Sequence, residues 1–529
     1  MSEAVRNYTG HAGSLRSQPR GRRRGFFIRV LLPFTVLLGI VLWWTTRDTY
    51  QFNECIPKGQ RITMIMDDPL PARQRVAQSR VWQAIPDTWT AIKRPDVLSA
   101  DLGLPQWVLN NVFYKRAILT GNDLGPDSDV VVLTRMTRIG ALLERFHGFA
   151  SAVDDDYAGG LHLRAIPEDG LYYAVRGRIL LFSVSRPALI RALTLSEDDR
   201  LEQATFDELA RAGGEDIRGT IALDQEQPLG QYFESVAFAI RIDGETAHAK
   251  CRGVLRPDTV ARFSALMDGV QPVPLRVPPA GLISLSADFG KPISEVWAAL
   301  GTATGVRWLS EAQWAAWEGG VPDQPPGAAQ MMTGLVGDKG PGIRLAIADV
   351  DVNELLPLPI LVGTADADAS AVKRQLESIP SPPDEANPWD AYPRYNPETG
   401  VASIPMIGGP SLEPAASVHQ NTFVFSSSRT AVDKILAENL SNQNLTEPGN
   451  LYMQIRPAPV VASLVKSGRL FVEIDSLRGF TKDSFEAAAE AWIASAEIVD
   501  EITVLAGVSG DAIEFELRVS CASTNTEGG

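Results

Sequence analysis

The sequence predicts an α+β protein: an N-terminal transmembrane helix followed by two similar domains, each a mainly antiparallel sheet packed by helices. Three observations predict it. Phe26–Thr45 is the one run long and apolar enough to cross a bilayer. Beyond it, short alternating strands and capped helices follow one another. One strand-to-helix step also occurs twice, at Phe182-Ser183-Val184-Ser185-Arg186 and at Phe425-Ser426-Ser427-Ser428-Arg429.

A helix needs roughly 20 mainly apolar residues to span the hydrocarbon core, which is the length of Phe26–Thr45. Arg29 lies where a long cationic side chain can snorkel to the headgroups, and Trp43 and Trp44 lie where indoles favour the interface. Arg20, Arg22, Arg23 and Arg24 precede the span and Arg47, beside Asp48, follows it. The positive-inside rule therefore leaves residues 1–25 as a basic cytoplasmic tail and places the body outside the cytoplasmic membrane, in the periplasm or its equivalent. The segment TTRDTYQFNECIP after the span lacks the small-residue site of a cleaved signal peptide. The expectation is a single-pass, uncleaved anchor.

The chain carries a formal charge of −15, and because Met1–Trp44 holds seven arginines against Glu3, the remainder carries −21. Such a body lacks the clustered cations that neutralise phosphates, so no nucleic-acid partner is expected. Cys55, Cys251 and Cys521 permit one disulfide or none, and no pair has the C-x-x-C spacing of a zinc or redox site.

In chain order, residues 46–80 read as a connector with a short apolar piece at Ile62–Met66. Domain 1 is read as 81–269. It opens with a strand at Trp89–Ile92 and a helix at Trp107–Leu119. Asp129–Thr134 is a β-branched strand, and Ile139, Leu142, Leu143 and Phe146 then mark one helix face. Asp154-Asp155-Asp156 reads as a solvated acidic loop. Strands follow at Leu161–Ile166, Leu171–Arg176 and Ile179–Ser183. Ser185 caps a helix with Pro187 in its first turn, and Thr205-Phe206-Asp207-Glu208 is a capping-box pattern. Gly219–Leu223, Ala237–Ile242 and Thr246–Gly253 are strands, the last two joined at Asp243-Gly244. The proline-rich 270–282 is the domain break.

Domain 2 is read as 283–521, before a polar tail at 522–529. It begins with a strand, two tryptophan-bearing helices and a Gly/Pro-rich loop, Glu318–Gly342. It then repeats the order of domain 1: strand Ile360–Gly363, helix Ala369–Ile379, the Phe-Ser-x-Ser-Arg step, strand Leu451–Ile455, and a closing helix and hairpin turning at Ser509-Gly510-Asp511. With this anchor and this repeated step, the chain resembles bacterial single-span envelope proteins of unknown function whose exterior part is a duplicated α+β domain. The resemblance implies the layout and carries no activity, cofactor or site residue with it.

Motifs for chemistry are sparse. His11, His147, His162, His248 and His419 show no ligand spacing, so no metal site is expected. Ser463-Leu464-Val465-Lys466 matches S-x-x-K without a supporting K-T-G. There is no nucleophile elbow, Walker loop or dinucleotide fingerprint, so neither catalytic nor cofactor residues are assigned. The loop Ser378–Gly400 stands out, because Trp389, Tyr392 and Tyr395 alternate with prolines and aromatic rings anchor interfaces. These three residues are the expected partner-binding site, with an envelope protein or polymer as the partner. The expected role is a non-enzymatic binding or scaffold component of the bacterial cell envelope. Two other readings stay open: an envelope hydrolase whose Asp and Glu meet only in the fold, and a structural spacer.

Overall fold

The structure is a computed structural model and describes residues 50–85, 106–123, 128–147, 154–166, 170–211, 214–291, 342–352, 357–379, 393–406, 409–438, 443–474 and 481–522, with a few isolated positions besides. Among these no helix is long and apolar enough to cross a membrane. Apart from Val36 and Gly39, the span Phe26–Thr45 lies outside them, as do Trp89–Ile92 and the two tryptophan-bearing helices, save Glu295, Val296 and Ala299.

The elements of the first half are β1 (Ile62–Asp67), α1 (Pro69–Gln78), α2 (Arg80–Ala84), α3 (Gln106–Val112), β2 (Arg116–Gly121), β3 (Val131–Arg135) and α4 (Arg138–His147). They continue with β4 (Asp154–Ala158), β5 (Leu161–Ile166), β6 (Leu171–Arg176), β7 (Ile179–Ser183), α5 (Arg186–Leu193), α6 (Gln203–Ala210), β8 (Ile217–Ala222), β9 (Phe233–Asp243), β10 (Thr246–Leu255) and α7 (Pro257–Met267). The second half contributes β11 (Val273–Arg276), β12 (Ile283–Asp288), β13 (Gly342–Val352), β14 (Pro357–Asp366), α8 (Ala369–Glu377), β15 (Arg394–Asn396), β16 (Val401–Ser403), β17 (Ala415–His419), β18 (Thr422–Ser426) and α9 (Arg429–Glu438). It ends with β19 (Asn444–Gly449), β20 (Leu451–Ile455), α10 (Pro457–Glu473), α11 (Lys482–Ile498), β21 (Val499–Ser509) and β22 (Ala512–Cys521).

Twenty of these strands form one sheet, every pairing antiparallel. From one edge to the seam the order is β4-β5-β6-β7-β3-β2-β1-β8-β9-β10. From the other edge to the same seam it is β15-β16-β17-β18-β14-β13-β12-β20-β21-β22. The two orders use the same connections strand for strand, and they meet where β10 pairs β22. The remaining pair, β11 with β19, is a separate two-stranded ribbon.

The core of the first half is a row of cross-strand partners. Ile65 faces Ile118, Ile118 faces Leu133 and Leu133 faces Leu181, all fully buried. Phe52, Leu189 of α5 and Phe206 of α6 close over that row. Such side chains contribute roughly 1.5–3 kcal/mol each when taken from water. Ser185 caps α5 by accepting from the Ala188 N–H, as its place before the helix requires.

Several expectations are corrected. Trp107–Leu119 is not one helix: Lys115 adopts a left-handed φ of 64°, and β2 begins at Arg116. The apolar piece of the connector is β1, paired on both sides. The acidic loop is the edge strand β4, where Asp155 bonds His162 and Asp156 bonds Arg186. Charge on an edge blocks unwanted pairing. The proline-rich break contains β11. Helix α6 begins at Gln203 rather than at a Thr205 box, and its N-cap Glu202 makes no side-chain cap bond. In α4 the buried positions among the described side chains are Gly140, Ala141 and Glu144, while Ile139 is exposed.

Candidate functional site: a trough across the seam

Period-two alternation gives β10 and β22 two unlike faces. Ala247, Ala249 and Cys251 of β10 share one face with Phe515, Leu517 and Val519 of β22. His248, Lys250 and Arg252 share the other with Arg518, Glu516 and Glu514, which face them in register. On this charged side the sheet is open. A cavity of about 820 Å³ runs between α6, which supplies Glu208 and Leu209, and the ribbon, which supplies Glu447 and Pro448. A second cavity of about 430 Å³ continues it and shares Glu447, Leu505 and Glu516 as lining. Together they make a trough floored by β9, β10, β22 and β21.

The floor narrows in side-chain size next to the seam. Ala237 and Ala239 of β9 lie opposite Arg252 and Lys250, leaving room above them. At one end an ion cluster is locked. His248 Nε2 lies 2.6 Å from Glu516 Oε1, Arg518 Nε donates to the same carboxylate at 2.7 Å, and Arg518 Nη2 reaches Glu447 at 2.5 Å. Burial pushes the Glu516 carboxyl up, but the bonds from Arg518 and His248 outweigh it and hold the group below the usual carboxylate range. Burial and the Glu501 charge push the nearby Tyr452 phenol up.

The wall beside α6 is held by a second cluster. Arg116 Nε and Arg218 Nη2 donate to Asp67 at 2.7 and 2.6 Å. Arg218 also donates to Leu209 O at 2.6 Å and Ala210 O at 2.9 Å, so it satisfies the last carbonyls of α6 and meets the negative end of its dipole. Its Nη1 is buried and makes no hydrogen bond. The Asp67 carboxyl, raised by burial, is brought below its ordinary value by the two arginines.

The residues expected from sequence lie elsewhere. Tyr395 is the middle residue of β15, pairs Ala402 and packs half-buried against the Phe423 cluster. Trp389 and Tyr392 lie outside the described residues. Ser463 and Lys466 sit in α10 and line none of these cavities. All three cysteines are free, with Cys55 and Cys521 buried. The trough itself was signalled by the alternation of charged and small residues in His248–Arg252 and of charged and apolar residues in Glu514–Val519, and its pairing only by the fold.

No protein family and no curated protein matches the chain. Among solved structures, those of TP0453 in crystal forms I, IV and III are similar to parts of it, at 6, 7 and 6% identity and TM-scores of 0.25, 0.25 and 0.24. They cover 40, 42 and 44% of this chain and 80, 86 and 91% of theirs. A likeness of that degree carries no argument about fold or function.

Proposed function

We propose that this protein is a membrane-anchored binding component of the cell envelope, held by Phe26–Thr45 with its body outside the cytoplasm, and that the trough across the β10–β22 seam receives an extended polar partner. We further propose that the body consists of two copies of one α+β unit, with the trough at their join. The observation that carries the reading is an open, continuous trough whose floor is charged and whose Lys250 and Arg252 make no ion pair with the carboxylates facing them in register. Glu516 suits binding rather than acid catalysis. General acid catalysis calls for a carboxyl with a raised pKa beside the substrate. The trough's Glu516 is held ionised. Glu144, which burial raises, lies under Arg164 and lines none of these cavities.

The test is site-specific photocrosslinking in native membranes carrying the full chain. A crosslinking residue at Ala239 or Thr503, in the floor, is expected to capture one discrete envelope component, and one at Ser264 on α7 is not. Charge reversal of Lys250 and Arg252 together should abolish the capture. Floor positions that capture nothing, or capture unchanged after reversal, would defeat the reading.

A further inference from the structure

The matched strand orders allow the two halves to be compared row by row. In the first half the row Arg218, Ile65, Ile118, Leu133, Leu181 runs across β8, β1, β2, β3 and β7. The matching strands of the second half, β20, β12, β13, β14 and β18, carry Tyr452, Ser286, Arg344, Thr364 and Val424 in one row. Three isoleucine and leucine positions of a dry core have become serine, arginine and threonine. All three are buried: Ser286 is 2%, Arg344 4% and Thr364 1% exposed.

Polar groups so deeply buried require partners, and here the set is incomplete. Thr364 Oγ1 is buried without a hydrogen bond. Among the described residues Arg344 makes one hydrogen bond, from Nη2 to Asp366 Oδ1 at 2.9 Å, although a guanidinium carries five N–H donors. That same oxygen also takes Arg276 Nη1 at 3.0 Å, so one carboxylate atom serves two cations. Asp288, the other carboxylate nearby, accepts from the Gly290 N–H at 2.8 Å. Ser286, Arg344, Arg276, Asp366 and Asp288 line a cavity of about 320 Å³ beneath the ribbon, on the opposite side of it from the trough, together with Leu275 and Asn444.

We propose that this cavity is a binding site for a small oxyanion, a carboxylate or phosphate group, whose oxygens meet the unfilled donors of Arg344 together with the Ser286 hydroxyl. The chemistry follows from the inventory. The row offers donors in excess, and the planar guanidinium fork matches carboxylate and phosphate oxygens. The volume is at the small end for ligand pockets, which suits a single acidic group and little more. Burial and the neighbouring Arg276 both disfavour the charge on Arg344, a cost that an anion in the cavity would offset. The inference depends on matching the halves strand by strand, and not on the trough.

The test is calorimetric titration of the full chain in neutral detergent micelles with inorganic phosphate and, separately, with acetate, at constant ionic strength. Saturable binding of one or both is expected, and which anion binds identifies the source chemistry. Ser286→Ala reduces volume only slightly and should weaken binding several-fold. Arg276→Gln should weaken it about tenfold, and Arg344→Gln should abolish it. If Arg344→Gln does not fold, Ser286→Ala and Arg276→Gln decide. Absence of saturation by either anion up to about 10 mM, or unchanged affinity in those variants, would overturn the proposal. Reversal of Lys250 and Arg252 should leave anion binding intact, which separates this site from the trough.

Discussion

Asp67→Asn tests the wall of the trough. The carboxylate joins β1 to two arginines, at 2.7 Å from Arg116 and 2.6 Å from Arg218, and Arg218 has a side chain only 8% exposed. Removing one partner of a buried pair costs about 3–5 kcal/mol, because the other charge is left behind. Asp67 is itself 23% exposed and Arg116 26%, so water screens part of the loss, and about 2–3 kcal/mol is the working figure. The loss should be local. Arg218 also holds the Leu209 and Ala210 carbonyls, so α6 and β8 should loosen first. Hydrogen-exchange mass spectrometry on the full chain should show amides of α6 and β8 exchanging roughly 30–150-fold faster, while α9 and β18 are unchanged. The pH dependence has a definite sign. The folded-state pKa of Asp67 is depressed, so its stabilisation is complete above the unfolded value of about 3.9 and is lost as pH falls through the lower folded value. The wild type and the variant should therefore differ fully at neutral pH and converge in acid. Equal exchange at neutral pH, or a gap that persists in acid, would refute the assignment of the carboxylate as the keystone of this wall.

Three further outcomes are expected. At Gly363, a Cβ would run into the ring of Phe425, which lies over that strand, so Gly363→Val should cost about 1–3 kcal/mol by overpacking and accelerate exchange in β14 and β18. A phosphatase reporter fused after Gly529 should be active and a cytosolic fluorescent reporter at the same point dark; the reverse would place the body in the cytoplasm and end the envelope reading. Replacing Trp389 and Tyr392 together by alanine tests the aromatic loop as a partner contact. If these rings are the partner contact, the same variant should lose crosslinking to it, and retained crosslinking would leave the trough as the sole contact.

What was legible in the sequence is what local chemistry determines. The hairpin from Leu171 to Ser183, the cap at Ser185 and the hairpins at Gly244 and Gly510 follow from period-two patterns, from left-handed glycines at Gly177 and Gly510, and from a side-chain oxygen next to a helix start. The misread elements are those whose identity depends on a distant partner. Ile62–Asp67 is a central strand because β2 and β8 flank it, although its own flanks look like a linker. Val273–Arg276, with proline inside it, becomes a strand only because β19 lies 171 residues away to pair it. The trough was hidden for the same reason: Lys250 and Glu516 are adjacent solely through the register of β10 and β22. Aromatic side chains drew attention to Tyr395, yet that ring is half-buried against the Phe423 cluster. A better signal was the single charge inside the apolar strand Gly342-Ile343-Arg344-Leu345-Ala346-Ile347.

That charge bears on how two halves with the same strand connections come to be packed differently. A fully buried apolar row needs a lid of matching side chains, and the first half has one in Phe52, Leu189 and Phe206. In the second half the position over the row belongs to the ribbon. Its Leu275 is buried, but its Arg276 and Asn444 turn polar groups toward the same cavity. A polar row under an apolar lid would leave several groups unsatisfied at about 1–3 kcal/mol each, and an apolar row under a polar lid would do the same to the ribbon. The lid and the row must therefore change together. An arginine at the place of Ile118 is tolerable only where β11 and β19 replace helix α6. The difference between the halves is thus concentrated where their lids differ: α6 walls the trough that crosses the seam, and the ribbon covers the arginine cavity.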